Sequence, residues 1–144
     1  MATTFQVTFD SADPAAHAAF WAEALHYKQA PPPEGFDSWD AALDAWGVTA
    51  EHRNDRAAII DPDGAGPRVF FQKVPESKTA KNRVHLDLRA AAGAPPDGRS
   101  DALEGECTRL VALGARRVRR MDADGMDDVC IVMQDPEGNE FCLD

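Results

Sequence analysis

At 144 residues, with 44% hydrophobic and 28% charged residues, the chain has the composition of a globular protein able to build a core without staples. A formal net charge of −10 excludes sequence-independent nucleic-acid binding, and no apolar run is long enough to cross a bilayer. Three widely spaced cysteines, Cys107, Cys130 and Cys142, form no disulfide framework and fit a reducing cytoplasm.

The segment after Met1 has neither a basic start nor an apolar signal core, so export by a cleaved leader is not expected. Phe5 to Phe9 alternates apolar and polar residues and reads as the first strand. Asp13 is placed to cap a helix that has Pro14 at its first position and runs from Ala15 to Leu25, ending at His26. His17 and His52 read as surface residues. Pro31-Pro32-Pro33 is stiff, and Ser38 then caps a short helix carrying Trp39, Leu43 and Trp46. This inserted segment, Pro31 to Arg53, has no counterpart later in the chain, and its tryptophans suit either packing or a pocket lid.

Strands are predicted at Arg56–Ile60 and Val69–Val74, separated by the turn Asp61-Pro62-Asp63-Gly64. Val74 to Arg83 has linker character. Val84 to Leu88 alternates as the first strand does. Ala90 to Arg99, rich in Ala, Gly and Pro, is a loop. Ser100 is placed to cap a second long helix, with Leu103, Cys107, Leu110 and Val111 on one face and Gly114 at its end. Ala115–Arg119, Asp128–Met133 and Glu140–Leu143 complete the predicted strands, and the arginines at 116, 117, 119 and 120 read as a solvated strand. Asp135-Pro136-Glu137-Gly138 repeats the earlier turn. The chain is thus an α+β protein of two tandem βαβββ halves: a first module over about 4–75, a linker over about 75–82 and a second module over about 83–144.

This order resembles the vicinal oxygen chelate superfamily, and within it the small glyoxalase-like and bleomycin-resistance-like proteins. The resemblance is carried by Asp13-Pro14 leading to Phe20-Trp21 and Ala24-Leu25. It continues through Asp61-Pro62-Asp63-Gly64, Phe71 to Glu76, Lys81 to Leu88 and Asp135 to Phe141, so it spans Phe5 to the C-terminus. It implies a single domain in which each module curls a mixed sheet into a partly open barrel, with the helix on the convex side and ligand on the concave side. It also implies a homodimer that covers sheet edges.

Strand alternation then turns Phe5, Val7, Phe9, Val84, Leu86, Leu88, Val69, Phe71, Phe141 and Leu143 toward the helices. It leaves Gln6, Thr8, Phe70, Gln72, His85, Asp87, Glu140 and Cys142 facing the ligand side. Metal-dependent members of the superfamily carry a ligand on the first and last strand of each module. By position these are Gln6, Gln72, His85 and Cys142, for a divalent ion such as zinc, manganese, iron or nickel. Cys142 departs from the Glu usual there and makes the set softer. Glu140 and Asp87 are the candidate catalytic bases, with Arg83, Arg89 or a basic residue across the pocket as the candidate partner of Asp87. Thr8, Phe70, Trp39 and Trp46 are the candidate ligand-pocket residues.

The degraded ligand set favours a protein that binds or sequesters a small organic metabolite or antibiotic. The alternative is a metal-dependent isomerase, lyase or dioxygenase. The expected partners are a small organic molecule and a second copy of the chain, with no nucleic acid and no membrane.

Overall fold

The first strand, β1 (Val7–Ser11), pairs in parallel with β4 (Val69–Lys73), from Val7 opposite Val69 to Ser11 opposite Lys73. Strand alternation puts Val69 and Phe71 in the core of this computed structural model, which describes residues 1–144. Phe9 stacks on Phe71 at 5.5 Å and on Trp21 at 5.3 Å. Full burial of a side chain such as Phe71 contributes roughly 1.5–3 kcal/mol. Between these strands come helix α1 (Pro14–Leu25), β2 (Lys28–Gln29), helix α2 (Trp39–Ala45) and β3 (Arg56–Ile60). The sheet order is β1-β4-β3-β2, and β2, too short for any periodicity, was not predicted.

Helix α1 starts as its sequence requires, with Pro14 first and the Asp13 carboxylate accepting from Ala16 N–H at 3.2 Å. Asn54 adds a second cap, accepting from Ala15 N–H at 2.8 Å while its amide donates to Asp13 at 2.8 Å. His26 ends the helix in the left-handed region at φ 56°.

Phe5 does not join β1 and is 72% exposed, contrary to its expected place against the helix, because the strand begins two residues later. His17 corrects a second expectation, being only 1% exposed. Trp21 Nε1–H donates to His17 Nε2 at 3.2 Å, so Nδ1 carries the proton and donates to Ser11 Oγ at 3.0 Å. A helical turn of spacing brings Trp21 over His17, and both nitrogens are satisfied inside the aromatic cluster.

In the inserted segment Ser38 Oγ caps α2 by accepting from Ala41 N–H at 3.1 Å. Trp39 donates its indole N–H to Ala30 O at 2.8 Å, and Phe36 meets Trp46 edge-on at 5.7 Å. Arg53 ties the helix back through Asp44 and the Val48 carbonyl.

The chain divides into two compact units, Met1–Ser77 and Lys78–Asp144. The second repeats the strand order of the first. Its elements are β5 (Asp87–Leu88), helix α3 (Arg99–Ala112), β6 (Arg116–Met121), β7 (Cys130–Gln134) and β8 (Glu140–Leu143), in the order β5-β8-β7-β6. The protein is therefore α+β, with two four-stranded mixed sheets, neither closed into a barrel.

The two predicted turns share one construction. Gly64 N–H returns to Asp61 O at 3.1 Å and Gly138 N–H to Asp135 O at 2.9 Å, with φ of 70° and 88°. Each aspartate also gathers amides. Asp61 accepts from Asp63, Ala65 and Gly66, which hold its carboxyl below the usual range. Asp135 accepts from Glu137 and Asn139.

In the second unit Leu103, Cys107 and Leu110 are buried as expected, whereas Val111 is 45% exposed. Ser100 is not the cap. A 3-10 turn, Pro96–Gly98, runs directly into α3, which starts at Arg99 behind Gly98. Val84 is 82% exposed because β5 is reduced to two residues. Every residue of β6 is exposed, as a charged edge strand allows. Arg117 and Arg120 both reach Glu104, and Arg116 reaches Gln134. No helix is long and apolar enough to cross a membrane.

Candidate functional site

In the second unit β5 and β8 run parallel with Asp87 opposite Cys142, a register locked by Cys142 N–H donating to Leu86 O at 3.0 Å. Paired residues in such a ladder point to the same face. His85, two residues before Asp87, meets it with Nδ1 2.7 Å from Asp87 Oδ1. One ring nitrogen of His85, one carboxylate oxygen of Asp87 and Cys142 Sγ all lie within 4.8 Å of one another. Donors sharing one tetrahedral ion sit about 3.5 Å apart, so closure requires shifts of about 1 Å. His85 and Asp87 keep 38% and 41% of their side-chain surface accessible.

With Nδ1 of His85 donating to the Asp87 carboxylate, Nε2 is left for another partner, an arrangement usual for metal-binding histidines. Burial pushes the Cys142 thiol up to about 11, with the Asp87 carboxylate and Cys130 adding to the shift. Without a cation Cys142 is therefore a protonated thiol, unsuited to act as a nucleophile. A bound cation reverses that local logic.

Asp87 thus takes His85 as its partner, while Arg89, one of its expected partners, pairs with Asp144 at 2.9 Å. The i, i+2 spacing of His85 and Asp87 was the sequence signal for this contact.

Glu140 has a different setting. Lys78 Nζ stands 3.1 Å from its Oε2, and Asn82 N–H donates to the same oxygen at 2.9 Å. Burial pushes its carboxyl up, but the Asn82 and Glu140 amides and Lys78 outweigh that and hold it at about 2. A carboxylate so held accepts a proton poorly near neutral pH.

In the first unit Gln6, Thr8 and Gln72 are exposed and Phe70 is half-buried. Gln6 donates to Thr8 Oγ1 at 3.2 Å and accepts from Arg68 at 2.8 Å. Gln72 donates to Asp10 at 2.8 Å. The Arg68 guanidinium lies over the Phe70 ring, 5.1 Å from its centroid. Trp39 is half-buried and bonded to Ala30, whereas Trp46 is 55% exposed.

Residues 6–143 match the family model described as Glyoxalase-like domain. The chain belongs to this glyoxalase-like family. Solved structures with the same fold include a glyoxalase/bleomycin resistance/dioxygenase family enzyme from Burkholderia phytofirmans PsJN, 13% identical, with a TM-score of 0.60 over 96% of this chain and 94% of that one. Another, described as a possible glyoxalase from Bacillus cereus, is 13% identical, with a TM-score of 0.61 over 99% of this chain and 98% of that one. A third is a mutant of the fosfomycin resistance protein FosX from Listeria monocytogenes, complexed with Mn(II) and a dihydroxypropylphosphonic acid. It is 12% identical, with a TM-score of 0.64 over 99% of this chain and 89% of that one. A comparison with curated proteins finds no match. The sequence resemblance to the vicinal oxygen chelate superfamily is borne out by the glyoxalase-like family match and these neighbours.

Proposed function

We propose that this glyoxalase-like protein is a metal-dependent lyase, isomerase or related enzyme acting on a small organic molecule with adjacent oxygens. The observation that supports this reading is the convergence of His85, Asp87 and Cys142 on the second unit, three donor types within 4.8 Å of one another. The FosX neighbour, with Mn(II) and a vicinal diol phosphonate, supports the same class of chemistry. Of the three, His85 and Cys142 are the ligand atoms for a divalent transition ion, and the thiol suits a softer ion than manganese. A cation there would supply Lewis acidity toward a substrate oxygen. His85 and Cys142 would hold it, while Asp87 would orient the imidazole and balance charge. Taken by itself, the first unit offers Gln6, Thr8, Phe70 and Gln72 as polar and aromatic contacts for a small molecule.

A second reading, binding without turnover, is favoured by the engagement of Glu140 with Lys78 and Asn82. That leaves Asp87, already bonded to His85, as the remaining one of the two expected bases. The chain is further proposed to act in the cytoplasm as a homodimer whose two modules, with the linker near residues 75–82, form one domain.

Elemental analysis of protein purified without chelators, followed by calorimetric titration of the metal-free protein, tests the choice. Stoichiometric metal that His85→Ala abolishes is expected. Absence of any metal affinity, with an organic ligand still bound, would make the second reading the right one.

A further inference from the structure

We infer that the second-unit site is built for a thiophilic divalent ion, zinc or cadmium, with Cys142 as a sulfur ligand, and discriminates against manganese. The inference rests on the metal-centred reading above and specifies its ion. The parallel register places Cys142 directly beside Asp87, and a ring nitrogen of His85 lies within 4.8 Å of the Cys142 sulfur, so an ion held there by His85 has the sulfur within reach. Thiolate is a soft donor that favours zinc and its heavier congener, whereas manganese favours oxygen ligands. The intrinsic affinity order of divalent ions also places zinc well above manganese, so both effects act in one direction. On binding, the Cys142 proton passes to buffer and the sulfur forms the metal bond, with no change of oxidation state.

A second thiol, Cys130, lies on the neighbouring strand. Val132 pairs with Cys142, so Cys130 shares the face of Val132 and sits diagonally from Cys142. Diagonal neighbours in an antiparallel pair lie about 7–8 Å apart between Cα atoms, wide for a disulfide without backbone movement. Both cysteines are free. Replacing Cys130, the nearby thiol outside the His85–Asp87–Cys142 group, is the comparison for replacing Cys142.

The full chain, stripped of metal, is titrated with cadmium while the ultraviolet thiolate-to-cadmium charge-transfer band is followed. Zinc and manganese affinities are measured by calorimetry. The band is expected at one equivalent in the wild type, lost in Cys142→Ser and kept in Cys130→Ser, with zinc bound at least about tenfold more tightly than manganese. The wild-type band needs no variant to be read, and circular dichroism reports whether each variant is folded. Metal binding without a thiolate band, or manganese bound as tightly as zinc, overturns the inference and leaves the metal-centred reading standing. Failure of all three ions to bind overturns both.

Discussion

His85 and Asp87 stand two residues apart on one side of the chain, with Nδ1 of the first 2.7 Å from Oδ1 of the second. Asp87 in turn lies opposite Cys142 across the parallel ladder, so a single carboxylate connects an imidazole to a thiol. Replacing it by the isosteric amide keeps volume and removes charge. Asp87→Asn should weaken zinc binding by about 10–100-fold, the usual effect of losing a carboxylate that orients a metal-binding histidine. Calorimetry on folded protein measures it. An unchanged affinity would show that Asp87 neither binds the ion nor orients the ring.

Cys142 offers the reverse experiment. Cys142→Glu exchanges the soft donor for a hard one at the same register position, which should raise manganese affinity at least about tenfold while eliminating the cadmium–thiolate band. Manganese binding left as weak as in the wild type would show that the sulfur is not what sets ion preference.

Glu140 links pH to stability. Its folded-state carboxyl lies at about 2 against an ordinary value of 4.5, so the stabilisation is present above pH 4.5 and is lost as pH falls toward about 2. Glu140→Gln should cost about 1.5–3 kcal/mol at neutral pH, the range for hydrogen bonds to a charged group, with the difference from wild type vanishing near the lower limit. Urea unfolding across that interval checks both parts. A constant difference at every pH would mean that Lys78 and Asn82 do not depend on the charge.

Two glycines separate backbone conformation from packing. An added Cβ at Gly138 meets only the Lys78 side chain at 3.8 Å, so the cost of Gly138→Ala comes from its φ of 88° and should be about 1–2 kcal/mol. Gly105, inside α3, has nothing within 4 Å of an added Cβ, and Gly105→Ala should stabilise by about 0.5–1 kcal/mol. Thermal unfolding of the two variants should move in opposite directions. A destabilising Gly105→Ala would contradict the helical conformation there.

Local chemistry was legible wherever it could be written in a few neighbouring residues. Arg56–Ile60 and Glu140–Leu143 form the predicted strands, Asp13-Pro14 and Ser38 start their helices, and both Asp-Pro turns close on their glycines. Alternation also put Phe71, Phe141 and Leu143 inward and left Gln72 and Cys142 on the other face, because a strand has only two faces to offer. The tertiary structure decided what depends on residues distant in sequence. Strand length follows from how far a partner extends, which is why Phe5 and Val84 fall outside their ladders. Burial of His17 needed Phe71, supplied by β4 and lying 5.0 Å away between ring centroids. The state of Glu140 was set by Lys78 and Asn82, brought beside it from 62 and 58 residues earlier. The meeting of Cys142 with Asp87 was set by a parallel register that no local pattern encodes. Propensity and alternation act over a few residues, whereas charge neutralisation, desolvation and metal-donor geometry depend on which segments the fold makes adjacent.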